Sequence, residues 1–343
     1  MRQRRLKAPA SFPVAHYHCV SRVVNRDFVF GPQEREEFVR LLREYERFCG
    51  VRVLTYCILS NHFHLLVEVP VRPLQPLTAE EVLARIETLS GSAMTPRRFL
   101  QRLDALRTAG DAAGERAFLD RICATMWDIS GYLQRLKQRF TQWFNRRVGR
   151  QGVLWEERFK SVLVEGAGDP LSTMAAYIDL NPLRAGVVED PKEYRWCGYG
   201  AAAAGDATAR EGIATVIAMG QRRPEVAQDT AGALATYRMW LFGQGEEREG
   251  TAPDGGSARK GFSREAVLAV LAARGKVSLP EYLRLRVRYF ADGAVLGTQA
   301  YVEGVFEALR TRWGPQRTDG ARPMQGLAHD LCVIRDLRHQ VFG

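Results

Sequence analysis

The chain has 343 residues, with 49 Lys and Arg against 39 Asp and Glu, a formal net charge of +10. That length allows two domains, and the cationic balance points to a polyanionic partner. No apolar run approaches the ~20 residues needed to cross a bilayer. The six cysteines, at 19, 49, 57, 123, 197 and 332, have neither the CxxC spacing of a zinc knuckle nor the pattern of a secreted disulfide framework. The basic start (Arg2, Arg4, Arg5, Lys7) is followed by no apolar core or small-residue cleavage site, so a reducing cytoplasm is the expected setting.

In chain order, region 13–70 reads as a strand (14–23), a helix (33–49) opened by Arg35, Glu36 and Glu37, and two strands (51–59 and 62–70). Residues 71–128 form a polar, helical insert. Thr78-Ala79-Glu80-Glu81 is a capping-box pattern, and Thr95-Pro96 starts another helix. From Ile129 to Arg150 runs a basic amphipathic helix. Its apolar side carries Tyr132, Leu133, Leu136, Phe140, Trp143 and Phe144, and Arg135, Lys137, Arg139, Arg146, Arg147 and Arg150 are its charges. With Arg158 and Lys160 on the strand expected next, this cationic side is read as a phosphate-contacting surface. Strand spacing puts Trp155 and Phe159 on one face, which favours a packed interior over base stacking for that pair.

A further helix is expected from Asp169 as N-cap and Pro170 at the first helical position, ending or kinking at Asn181 because Pro182 follows. Residues 201–242 are alanine-rich and helical in pattern, and 243–260 is the clearest linker in the chain. The last stretch, 261–343, reads as a small helical C-terminal domain with helices at Ser263–Leu271, near Pro280–Phe290 and near Gln299–Trp313. Either DNA binding or bracing of the preceding domain would suit it.

The chemistry concentrates at Cys57–Val69, an apolar strand, a short polar break and a second strand opening with His62-Phe63-His64. Strand side chains alternate, so His62 and His64 share one face while Phe63, Leu65 and Val67 take the other. Two imidazoles aimed the same way can share one cation. His16-Tyr17-His18 has the same form, and an isolated His-x-His is more often a polar strand face. Tyr177 and Asn181, four apart, share one face of the later helix. A phenol, an amide oxygen and two imidazoles suit metal-assisted attack of tyrosine on a phosphodiester, with the strand exchange conserved through a covalent intermediate. Tyr132 is a rival nucleophile among basic residues, but Leu136 stands where a ligand-type partner would be. No Walker A or glycine fingerprint is present.

In this order, Tyr17–Arg26, Asn61–Val67, Leu154–Ser161, Tyr177–Gly186 and Tyr194-Arg195-Trp196 resemble the REP-associated tyrosine transposases, a branch of the single-tyrosine transposases in the HUH nuclease superfamily. The resemblance spans roughly residues 15 to 200 with one long interruption. It implies an α+β, ferredoxin-like antiparallel sheet with helices on one face, and a catalytic domain over residues 1–200. It places the metal pair at His62 and His64, the nucleophile at Tyr177 and the third ligand at Asn181, which leaves His16 and His18 structural or solvent-facing. The implied activity is cleavage and rejoining of single-stranded or hairpin DNA through a 5′-phosphotyrosine, with Mg²⁺ or Mn²⁺ as the hard cation and a monomer slightly favoured over a homodimer. A non-catalytic DNA-binding descendant is the alternative, and a replication initiator or relaxase a weaker one.

Overall fold

The computed structural model describes residues 5–242, 283, 289–292, 294–324 and 329–334. The order is β1 (Val14–Arg22), α1 (Pro32–Cys49), β2 (Arg52–Ile58), β3 (His62–Pro70), α2 (Ala79–Glu87), α3 (Pro96–Thr108), α4 (Ala112–Cys123), α5 (Ile129–Val148), β4 (Lys160–Val164), α6 (Asp169–Asp179), α7 (Asn181–Arg184), α8 (Gly198–Ala203), α9 (Ala207–Gln221) and α10 (Thr230–Phe242). The first four strands lie in the order β2-β3-β1-β4 with every neighbour antiparallel. Each of the two crossovers, β1-α1-β2 and β3-α5-β4, therefore skips one strand. This is the ferredoxin-like split arrangement.

The pleat divides the labour of each strand. Odd residues of β1 and β3, among them Tyr17, Cys19, Phe63, Leu65 and Val67, enter a core with α1 and α5. Its centre is aromatic: the Phe38 ring lies 5.4 Å from Phe30, 4.8 Å from Phe63 and 5.1 Å from Phe140. Trp155 packs into the same cluster and donates through Nε1 to Thr141 Oγ1 at 2.9 Å. Residues 155–159 are not a strand, since β4 begins at Lys160, but Trp155 and Phe159 do have the packed role expected of them.

The opposite face is not open to solvent, which corrects the expectation of helices on one side. Leu54, Cys57, Leu66, Val162 and Val164 meet Leu171, Met174, Ala175 and Ile178 of α6, Ile213 and Val216 of α9, and Tyr237 of α10. The alanine-rich stretch 201–242 supplies this second layer together with α6. The insert is helical as expected, with Thr78 and Glu81 capping α2 reciprocally and Thr95 capping α3. Arg85 fastens it to the end of α1 through the carbonyls of Arg47 and Phe48.

The C-terminal residues depart from an all-helical module. Gln299–Ala308 is helical, but Val295–Gly297 (β5) pairs parallel with β4. Arg322–Pro323 (β6) and Cys332–Val333 (β7) extend the sheet to seven strands. Such short strands carry too few residues for their periodicity to be read in sequence. The expected linker 243–260 and the first C-terminal helix lie outside the described residues, as does most of the second.

Because Phe38 is fully buried between both helices and the sheet, Phe38→Ala is expected to destabilise the fold by about 3–5 kcal/mol. Urea unfolding followed by circular dichroism measures this. A loss under 1 kcal/mol would mean that the aromatic centre is not the keystone of that core.

Candidate active site

The even face of β1 and β3 carries the candidate site residues. Pairing aligns Lys160 (β4), Val20 (β1), His64 (β3) and Cys57 (β2) in one row, with Arg22 opposite His62 in the next. His62 and His64 therefore do share a face, with ring centroids 5.1 Å apart and planes at 70°. His62 Nδ1 meets Asn61 Oδ1 at 2.7 Å. His18, one row further along β1, is not at the surface but fully buried. Its ring stacks on His64 with centroids 5.1 Å apart, Nε2 lies 2.9 Å from His64 Nδ1, and Nδ1 lies 2.6 Å from the Phe290 carbonyl oxygen. Burial pushes His18 down to about 4 and His64 well below the usual histidine range, so both rings are neutral. His16 is also buried, its Nε2 3.3 Å from Glu68 Oε2.

Tyr177 reaches this cluster from α6, which packs against β2, β3 and β4. Its ring stands edge-on to both histidines, 6.3 Å from His64 and 6.1 Å from His18. Gly168 rather than Asp169 is the cap of α6; its φ of 71° is the left-handed geometry that glycine tolerates, and Asp169 and Pro170 are the first helical residues. Helix α6 ends at Asp179 with Leu180 as its C-cap, and α7 restarts from Asn181, so the break falls one residue before the expected position. The Asn181 amide donates to the carbonyls of Ile178 (3.0 Å) and Tyr177 (3.3 Å), which turns its oxygen the other way.

Arg184 was not singled out by the sequence, although it follows Asn181 by three residues. Its guanidinium lies 4.1 Å from the Tyr177 ring centroid and donates to the Tyr177 and Leu283 carbonyls. Phe290 covers the other approach, 4.4 Å from the Tyr177 ring, leaving the tyrosine 3 % exposed. Tyr132 is elsewhere. It is fully buried in the α1/α5 core, with its hydroxyl donating to the Leu42 carbonyl, and burial pushes its phenol well above the usual range.

Asp179 anchors the tyrosine helix. Its buried carboxylate accepts from Thr55 Oγ1 of β2 (2.8 and 2.9 Å), the Tyr199 amide of α8 (3.0 Å) and the Tyr237 hydroxyl of α10 (2.7 Å). Desolvation outweighs these donors and pushes the acid up to about 6.

Among the described residues no three His, Cys, Asp or Glu side chains gather as a metal cluster. The donors that could hold a cation are instead His62 and His64, which share a strand face and use Nδ1 in the hydrogen bonds above, and the Asn181 amide oxygen. Two imidazoles and one amide oxygen, without thiolate, are donors that a divalent ion can take.

The basic residues do not form one surface. Arg135 is half-buried toward the insert, donating to Thr125 Oγ1 at 2.6 Å beside the Phe48 ring, and Arg139 is half-buried next to Gly91. The helical period placed these two on a polar stripe, but the insert covers it. Arg146, Arg147, Arg158 and Lys160 are exposed, with Arg147 paired to Glu34 at 3.3 Å. Of these, Lys160 lies on the histidine face, and Arg22 joins it there unforeseen.

Residues 11–78 match the family described as "Transposase IS200 like". The matched stretch runs from β1 through β3 and contains His18, His62 and His64; Tyr177 and Asn181 lie beyond it. A solved structure described as "Structure of the REP associates tyrosine transposase bound to a REP hairpin" is similar at 12% sequence identity and a TM-score of 0.37, covering 60% of this chain and 87% of that one. No curated protein matches the chain. No helix among the described residues is long and apolar enough to cross a membrane.

Two outcomes are expected. Since Asp179 holds its proton more tightly folded than unfolded, the native state binds extra proton between about pH 4 and 6, and its stability falls as pH rises through that window. Asp179→Asn should lose this contribution. Urea midpoints of both proteins at pH 4.5 and 7 measure the difference, and parallel shifts would show that Asp179 titrates normally. Separately, Arg158→Ala/Lys160→Ala should lower the slope of log affinity for single-stranded DNA against log salt by roughly 0.7 per lost phosphate contact, whereas Arg135→Ala should leave the slope unchanged. Equal slopes in all three proteins would remove β4 from the DNA surface.

Proposed function

We propose that the protein is a single-tyrosine, transposase-like enzyme that cleaves and rejoins single-stranded DNA. The observation that carries this is the convergence of the Tyr177 ring on the His18/His64 pair, edge-on at 6.1 and 6.3 Å, across a sheet whose β1–β3 segment matches the IS200-like transposases. In this reading Tyr177 is the nucleophile, and His62, His64 and Asn181 hold Mg²⁺ or Mn²⁺. When bound, such a cation polarises the phosphodiester and stabilises charge on its oxygens.

The Tyr177 oxygen bonds to phosphorus as its hydroxyl proton passes to solvent. The bond from phosphorus to the 3′ oxygen breaks, and that oxygen takes up a proton. The products are a 5′-phosphotyrosine and a free 3′-hydroxyl, which can reverse the step on the same or another strand without ATP. Arg184, already against the ring, stands where a cation can offset phosphate charge. Lys160 and Arg22 flank the histidines on the same sheet face and would steer the backbone inward. A hairpin with a single-stranded foot is the substrate class implied by the sequence resemblance.

A non-catalytic DNA-binding role is the second reading, favoured by one observation: Tyr177 is 3 % exposed beneath Phe290, so a phosphate reaches it only if that ring moves.

Denaturing electrophoresis after incubation with labelled single-stranded hairpin and Mn²⁺ separates the two. Wild type and Tyr132→Phe should yield a protein-linked strand, and Tyr177→Phe should bind DNA but yield none. Adduct persisting in Tyr177→Phe would remove this tyrosine as nucleophile, and no adduct from wild type on its cognate hairpin would favour the binder.

A further inference from the structure

We propose that His18 is a positioning residue that fixes His64 in the tautomer able to bind a cation, through a two-ring relay that begins at a backbone carbonyl. The inference rests on the reading of His64 as a metal ligand. Its geometry is independent of that reading.

The relay can be followed atom by atom. The Phe290 carbonyl oxygen has no hydrogen to give, so across the 2.6 Å contact His18 Nδ1 must carry the hydrogen. Within hydrogen-bonding distance, the described partners of the fully buried His18 ring are that carbonyl and another imidazole, with no carboxylate to support a positive charge. The ring is neutral, and its Nε2 holds a lone pair. Across the 2.9 Å contact the hydrogen must therefore sit on His64 Nδ1, which donates to His18 Nε2. His64 Nε2 is left bare, with its lone pair in the ring plane.

This reverses the default. An unconstrained neutral imidazole carries its hydrogen mainly on Nε2, where it would block a cation. An acceptor held at Nδ1 moves the hydrogen and orients the ring, which is the function that partners beyond the ligand shell serve in metal sites. Because the chain of hydrogen bonds ends on the main chain, the tautomer is set by the fold and needs no charged group. His18 itself sits next to the row of His64 on the same sheet face, so it supports the ligand without competing for its place.

The test uses the full-length protein. On metal-free, ¹⁵N-labelled wild type, long-range proton–nitrogen correlation should show His64 with a protonated Nδ1 and a pyridine-type Nε2, and His18 in the same tautomer. A His64 protonated on Nε2 would overturn the relay, and this measurement needs no variant to fold. Mn²⁺ titration followed by paramagnetic resonance of the free ion should then show His18→Phe binding roughly 10–100-fold more weakly than wild type. His18→Gln, which keeps an oxygen acceptor near the Nε2 position, should recover most of the affinity together with the Nδ1-protonated His64 signal. Unchanged affinity in His18→Phe would overturn the positioning role. Absence of Mn²⁺ binding by wild type would overturn the metal reading itself, and the tautomer pattern of the metal-free protein separates that failure from failure of the relay.

Discussion

The two-residue alternation of β3 is the constraint from which the rest of the molecule follows. One strand has to bury Phe63, Leu65 and Val67 against α1 and α5 while presenting His62 and His64 on its other side. A slip of one residue would put imidazoles into an aromatic core and phenylalanine into the site, so the apolar packing that stabilises the domain also fixes where the histidines point. The β1 pairing carries this across the sheet, bringing His18 and Arg22 of β1 and Lys160 of β4 to the same side as the β3 histidines.

The second layer exists to hold one helix. Helix α6 is nearly all apolar where it meets the sheet, and dispersion alone would allow it to slide. Asp179 prevents this by accepting hydrogen bonds from a strand, a helix start and a distant helix at once. Burying a carboxylate is costly unless it is fully bonded, and losing one donor would leave the others facing an unsatisfied charge. The position of Tyr177, two residues earlier, is thus determined by an acid that belongs to the scaffold.

Much of this was legible from the chain because it is local. The first three core strands announce themselves by their apolar pattern and α5 by its amphipathic period, the His62-Phe63-His64 face by alternation, and the helix carrying Tyr177 by the prolines at either end. What escaped depends on partners distant in sequence. The sequence leaves His18 between a structural and a solvent-facing role because nothing near it in the chain reveals that α6 and Phe290 close over it. Arg135 and Arg139 looked like a DNA surface because helical periodicity marks them as polar without telling that the insert lies on that side. Strands of two or three residues, such as β5 to β7, have no period to detect. Asp179 reads in sequence as an ordinary helical acid, and only its burial makes it a hub.

The parallel pairing of β5 with β4 carries a consequence for the order of events on the ribosome. Leu163 and Val295 are far apart in the chain, so the edge of β4 stays uncovered during synthesis until the late segment arrives, and closing so long a loop is slow. The carbonyl that ends the histidine relay belongs to Phe290, five residues before that strand. A nascent chain can therefore assemble its four-stranded core and both β3 histidines early, while the proposed relay to His64 still lacks its terminal carbonyl. The site matures last, after the segment that closes the sheet has docked, and an unfinished chain would hold the right residues in an immature electronic state.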